Sequence, residues 1–393
     1  MRDRIRHLQR DERGVSLVLV SGGLMGLLAA TTLAIDVGMM MAARSQAQNA
    51  ADGGALAGAT ALVFNDFNDR ASSGPAVTSA ISTAQANSVM GQPPSVLPTD
   101  VTFPNDPSGN PTRVAVQVFR TTERNNAIPT IFGSLFAVPT ASGGASATAE
   151  ASPANAETCV KPFMIPDKWI ENSDSKGNPD GPWKTDSTFD IVDNKRNPLP
   201  NPDVYIPLDQ PGYTGYSSKD YGTLLVLRAG TGNNIYPSMY YSWSMPSNTG
   251  ADDYRSNISG CNRTKIPLSP DPPYYMSQEP GDMTGPTDQG IDGLIAKDPG
   301  ATFDSSCNCV RNSAYAVSPR ITPIPLYDPL YYATGKENGR NADFKLANVM
   351  GFFVDHRSGN QVYGYIMPIL GIIDAGLGPA PSGAFPRAIR LVQ

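Results

Sequence analysis

GVSLVLVSGGLMGLLAATTLAIDVGMMMAARSQAQNAADGGALAGATALV, residues 14–63, decides how this chain is built. From Val15 to Ile35 it holds 21 residues without a charge. The hydrocarbon core of a bilayer takes about 20 apolar helical residues to cross. Arg2, Arg4, Arg6, Arg10 and Arg13 precede the run, and short flanks rich in Lys and Arg stay on the cytoplasmic side. The chain is therefore expected to leave the membrane at Asp36, with everything after it on the far side. A carboxylate at the bilayer centre costs about 2.5–3.5 kcal/mol, so Asp36 belongs at the interface.

The helical signal continues beyond the membrane. Between Val37 and Val63 there is no proline, and alanine and glycine dominate. Alanine is the best helix former, and small residues let a second helix approach closely. One helix of roughly 49 residues, about 73 Å long, is expected. Its first part would lie in lipid. Gly38, Asn49, Asp52, Gly53, Gly54 and Gly58 would lie on a packing surface outside. A cleaved secretory signal would have a shorter apolar core of about 7–15 residues. A buried helix of a soluble protein would not need the arginine-rich flank.

The order Arg13-Gly14, apolar run, Asp36-Val37-Gly38, then Gln48-Asn49-Ala50-Ala51-Asp52-Gly53-Gly54-Ala55-Leu56-Ala57 resembles the N-terminal domain of TadE/TadG-like Flp pilus assembly proteins. Cys159 to Trp169, Glu279 to Gly300 and Val349 to Gly371 resemble parts of the long periplasmic region of some members. The resemblance implies a single-pass protein of the bacterial inner membrane, with a cytoplasmic N-terminus and a periplasmic bulk. It would be a structural part of a Tad/Flp type IV pilus assembly apparatus. Its partners would be the membrane, other pilus assembly proteins and, through the N-terminal helix, further copies of itself. Two features depart from relatives: there is no D-x-S-x-S metal motif, and the fifth residue after Gly14 is Leu19, where prepilins usually carry Glu. The first argues against metal-dependent adhesion; the second favours an uncut anchor over a processed minor pilin.

The expected fold is α+β in four segments: a cytoplasmic tail over 1–13; the transmembrane helix with its Ala/Gly-rich extension over 14–63; a small α+β unit over 64–151; and an irregular, Pro- and Tyr-rich β domain over 152–393. All 16 tyrosines, all 3 tryptophans and all 4 cysteines fall in the last segment. In the α+β unit, Ala76 to Val89 predicts a helix. Val101 to Phe103, Arg113 to Arg120 and Ala141 to Ala151 predict strands, and Ile128 to Phe136 a short helix. In the last segment, strands are expected over Asp203 to Pro207, Thr223 to Ala229, Ile321 to Tyr327, Phe344 to Asp355 and Val362 to Leu370. A helix is expected over Gln289 to Lys297. Pro323, Pro325 and Pro329 make the nearby chain an edge strand or loop rather than a central strand. No internal repeat is evident.

Net charge is −6 and the pI is near 5.0, which argues against a nucleic-acid binder. Cys159, Cys261, Cys307 and Cys309 would all be exported, where disulfides persist. Cys307 and Cys309 would close a tight ring together, so each is expected to pair with one of the other two. No zinc spacing, phosphate loop or nucleophile elbow is present, and no catalytic residue, cofactor or metal site is expected. His356 reads as a residue of a polar turn. Glu279 and Asp282 are weak candidates for an acid and base pair in an envelope hydrolase. Asn172 to Asp180 has oxygen ligands at even spacing, but Lys176 interrupts them. A membrane-anchored adhesion or binding module, using the aromatic residues, is the other class left open.

Overall fold

The computed structural model describes residues 12–65, 69–107, 109–230, 234–246, 249–268, 271–315, 317–335 and 343–392. Arg2, Arg4, Arg6 and Arg10, with most of the expected tail, lie outside the described residues. Helix α1 runs over Glu12–Phe64, 53 residues, about 80 Å at about 1.5 Å per residue. The chain divides into two compact units. The first holds Met1–Ala59, Arg70–Glu150 and Leu391–Gln393; the second holds Thr60–Asp69 and Ala151–Arg390.

In the first unit, helix α2 (Pro75–Ala86) begins with proline in its first turn, where a missing N–H loses nothing. Strands β1 (Val101–Thr102), β2 (Arg113–Arg120) and β5 (Gly143–Pro153) form an antiparallel sheet. Val114, Val116 and Val118 are fully buried, so every second residue of β2 faces the core. Arg120 closes the far end of β2. Its Nη1 donates to the carbonyls of Val89 and Gln92, and its Nε donates to that of Asn126 at 2.5 Å. The helix expected over Ile128 to Phe136 is instead a short strand, β3 (Ile128–Pro129), paired with β4 (Thr140–Ala141). A loop with one 3-10 turn at Gly133–Phe136 joins them.

The second unit is built on a closed barrel. Around it run β14 (Ile321–Tyr327), β7 (Phe163–Pro166), β9 (Met239–Ser242), β8 (Leu224–Ala229), β16 (Gln361–Met367) and β15 (Phe344–Ser358). The 15 residues of β15 close it, because its first part pairs with β14 and its second part with β16. A Cβ on Gly351, where the two pairings overlap, would collide with the Met367 carbonyl. The short strands β6 (Ala156–Glu157) and β10 (Ile266–Pro267) pair with each other, and β11 (Tyr275–Met276) adds to the start of β15. Helices α3 (Ala251–Ser259), α4 (Thr284–Ile295) and α5 (Pro329–Gly335), and strand β17 (Arg387–Val392), complete the elements used below.

Several expectations change here. Strand β14 is central, not an edge, despite Pro323 and Pro325. Lys161 donates its N–H to the Pro323 carbonyl, so that residue's carbonyl and its donorless nitrogen both face the β7 side. There the ladder with β7 pairs only Leu326 and Tyr327, and the prolines leave no gap in it. Asp203 to Pro207 is not a strand; Val204 alone bridges to Ile170. Helix α4 starts five residues before Gln289. Strand β15 continues through Ser358, so His356 lies in a strand, with its ring stacked on Tyr363 at 4.5 Å.

The cysteines pair as Cys159–Cys261 and Cys307–Cys309, not in the crossed way expected. Backbone pairing explains it. The Cys159 N–H donates to the Asn262 carbonyl, which sets the first pair side by side. Strands β12 (Thr302–Asp304) and β13 (Cys309–Arg311) form a hairpin, with Asn308 in the left-handed region between the two sulfurs. Bridging across a sequence separation of 102 stabilises by about 4–5 kcal/mol in the chain-entropy model, whereas the three-residue ring is worth under about 2 kcal/mol. Cys159→Ala with Cys261→Ala should therefore lower the denaturation midpoint, followed by the fluorescence of Trp169, Trp183 and Trp243. Cys307→Ala with Cys309→Ala should barely move it.

Candidate membrane anchor and helix-packing site

The two parts of α1 have opposite surroundings. Leu17, Val18, Leu19 and Val20 are each 69–71% exposed. Four consecutive helical residues sweep most of the circumference, so no side of this segment is covered. Thr31 and Thr32 turn their hydroxyls back onto the carbonyls of Leu27 and Ala29, which leaves these two polar side chains satisfied within the helix. Among the described residues, one helix is long and apolar enough to cross a membrane.

Above Asp36 the helix is one-sided. Ala43, Ala47, Ala50, Ala51, Ala55 and Ala59 are at most 2% exposed, at three- and four-residue spacings that mark one face. Gly54 and Gly58 let that face close onto α2 and β2. A Cβ on Gly58 would lie 2.9 Å from Val114 Cγ1 and 3.2 Å from Ala80 Cβ; one on Gly54 would lie 3.0 Å from both the Ala80 carbonyl and Ala84 Cβ. Gly53 faces Asn87 and Thr83. The chain's own α+β unit therefore occupies the face expected to receive another helix. Gly38 meets nothing within 4 Å, and Asn49 is exposed. Polar contacts flank the packed face. Gln46 Oε1 accepts the Met90 N–H at 2.7 Å, while Gln48 Nε2 donates to Asp52 Oδ1 at 2.8 Å and to the Ser146 carbonyl at 3.2 Å.

Asp36 is the junction. Its carboxylate accepts the backbone N–H groups of Ile131 (2.9 Å), Phe132 (3.2 Å) and Gly133 (2.7 Å). A Cβ on Gly133 would lie 2.6 Å from the Val138 carbonyl, so glycine is required for the loop to fold this tightly. Sequence reasoning missed this loop. The signal was the contrast between its apolar run, IFGSLFAV, and a glycine and flanking prolines that resist a helix.

Residues 14–61 match a model of the Tad family, described as "Putative Flp pilus-assembly TadE/G-like". The N-terminal helix is similar to that family. The match covers α1 alone and neither compact unit's sheet. No curated protein and no solved structure matches the chain. The likeness to the Tad family supports a component of pilus assembly.

Other candidates lie in the second unit. Asp167 is completely buried. It accepts from the hydroxyls of Tyr205 (3.0 Å) and Tyr213 (2.6 Å) and from the N–H groups of Lys168 (2.9 Å) and Tyr216 (3.1 Å). Burial outweighs these donors and pushes its carboxyl up to about 6. Glu279 accepts from the Ser244 hydroxyl and the Gly250 N–H, whereas exposed Asp282 accepts the N–H of Thr284 at the start of α4. They do not share a hydrogen bond. In the loop considered for calcium, Asp174 spends its carboxylate on the N–H groups of Lys176 and Asn178 and on the Asn178 amide. Asp193 does the same with Lys195 and Asn197. These turns, DSKGNP and DNKRNP, are a local repeat that the linear reading overlooked. Among the described residues, no group of three or more His, Cys, Asp or Glu is arranged to hold a metal.

Two predictions test these sites. Gly58→Leu should loosen α1 from β2, costing about 1–3 kcal/mol through overpacking, and should speed proteolysis within residues 70–150. Gly38→Ala meets open space and should stabilise the helix slightly. Asp167 holds its proton more tightly folded than unfolded. Its contribution to stability is therefore full below about pH 4 and is lost as pH rises through about 6, a change of about 3 kcal/mol. Other buried carboxyls titrate too, so the readout is the stability difference between the natural chain and Asp167→Asn. That difference should shift in favour of Asp167→Asn as pH rises over this window.

Proposed function

We propose that this chain is a structural, non-catalytic component of a Tad/Flp pilus assembly apparatus. It is held in the bacterial inner membrane by α1, with its N-terminus cytoplasmic and both compact units in the periplasm. The observation that carries this reading is the coincidence of the Tad family match with the uncovered half of α1. The arginine-rich flank supports the orientation, and two disulfides suit an oxidising compartment. The second unit supports a holding role rather than a chemical one. Its polar hubs, Asp167 among them, are spent on internal hydrogen bonds.

The test is intact mass spectrometry, without reduction, of membrane and sheared-pilus fractions. The expected product is full length, resists alkaline extraction from the inner membrane, and is lighter than the all-thiol chain by the hydrogens lost in two disulfides. A species beginning at Val15 in the sheared fraction would instead make it a processed minor pilin. Deleting the chain should abolish surface pili, and restoring the full-length protein should recover them. Normal piliation in the deletion would remove the assembly role.

A further inference from the structure

The loop Thr130–Pro139 reads TIFGSLFAVP. Ile131 is 57% exposed and Val138 is 53% exposed, while Ala137 and Pro139 are exposed too. Water is a poor environment for such a cluster, because each exposed apolar Å² forgoes roughly 25 cal/mol. The loop is nevertheless held in one shape. Thr130 donates its N–H to the Pro139 carbonyl at 3.1 Å and its hydroxyl to the Val138 carbonyl at 2.6 Å, and the Val138 N–H reaches the Gly133 carbonyl at 2.9 Å. With the Ile131, Phe132 and Gly133 N–H groups on Asp36, much of its backbone polarity is satisfied. Entry into a lipid layer requires this of any segment that is not a helix or closed sheet.

Its position gives the occupant. The uncharged run of α1 ends at Ile35, and the next residue clamps this loop by direct hydrogen bonds. If α1 spans the bilayer, the loop backbone lies at the depth where the hydrocarbon ends. On the helix itself, Val37 (43% exposed) and Met41 (69% exposed) line an open recess with Met40, between Asp36 and Arg44.

We propose that Thr130–Pro139 is a second membrane contact, a loop that seats Ile131, Ala137, Val138 and Pro139 in the outer leaflet at the headgroup–acyl boundary beside the exit of α1. The proposal rests on the anchor reading above. Asp36 then has two tasks. It ends the span, and it fixes the height of the loop, its charge met by three backbone donors where water is scarce. The first unit is thereby held at two points on the membrane surface rather than swinging on one helix.

The chain's four cysteines are all in disulfides, so an added cysteine is a unique thiol. Full-length protein carrying Ile131→Cys, Leu24→Cys or Asn105→Cys is labelled with an environment-sensitive fluorophore. It is then reconstituted into vesicles containing lipids with a nitroxide near the headgroup or deep in the acyl chain. Position 105 lies beyond β1, at the end of the sheet away from Asp36. The label at 24 should lose fluorescence to the deep nitroxide, the label at 131 to the shallow one, and the label at 105 to neither. Asp36→Ala should release the label at 131 from the shallow quencher. A quenched label at 24 with position 131 behaving like position 105 would overturn the proposal and leave the anchor intact. So would a label at 131 shielded from both nitroxide and aqueous iodide, which would assign the loop to a protein partner. Unquenched label at 24 would remove the anchor reading, and the loop proposal with it. Unchanged quenching at 131 in Asp36→Ala would show that the clamp does not set the loop's depth.

Discussion

A single unbroken helix cannot present the same surface to lipid and to a folded sheet, and α1 resolves this by changing character at Asp36. Before it, Leu17 to Val20 are exposed on every side, and Gly22, Gly23 and Gly26 meet no other element among the described residues within 4 Å. After it, one face is reduced to alanine and glycine and packs on the first unit, while the other is exposed. The first unit can only assemble on the second kind of surface. Its β2 valines need a partner they can approach closely, and Gly54 and Gly58 provide that approach. Larger side chains at these two positions would push the sheet away and strip the burial from Val114 and Val116.

The helix was legible because its signals are local. Twenty-one uncharged residues, an arginine flank and an alanine-rich continuation need no knowledge of tertiary contacts. The same holds for β2, where valines at alternating positions mark the buried face and the observed strand spans the expected residues. What the helix packs against was not legible. Small residues advertise close approach but do not name the partner. The partner proved to be the chain's own α2 and β2, which lie close in space only after residues 65–120 have folded back. The loop over 130–139 failed for a related reason. Its apolar residues suggested a helix, and a carboxylate nearly a hundred positions away claims the backbone N–H groups.

The second unit shows why proline-rich sequence resists linear reading. Pro323 and Pro325 look like edge residues, and their rule is sound: a proline cannot donate to a ladder. It fails to place β14 at an edge because the parallel partner pairs beyond them, at Leu326 and Tyr327. Likewise, long loops here are fastened by buried polar side chains that no periodicity reveals. Asn155 holds the carbonyls of Asp374 and Gly378 and accepts the Asp374 N–H. Asn348 ties Tyr213, Gly383 and Phe385 together. Arg320 donates to the carbonyls of Asp298, Ala301, Val354 and Asp355. Buried polar groups are stable only when paired, and each of these residues meets that condition with partners scattered through the sequence.

Glycine carries two different meanings along α1, and the contrast bears on how the helix is used. A glycine inside a helix costs about 1 kcal/mol relative to alanine. At Gly54 and Gly58 the cost is offset within the chain, since alanine there would collide with Val114 and Ala80. Within the apolar segment, Gly22, Gly23 and Gly26 have no atom of another element within 4 Å among the described residues, so no contact seen there offsets them. Fold stability accounts for the first pair and is silent on the second group. From Ala43 to Ala59, α1 is thus explained as the spine of a folded unit, whereas no contact among the described residues accounts for the glycines of the lower half.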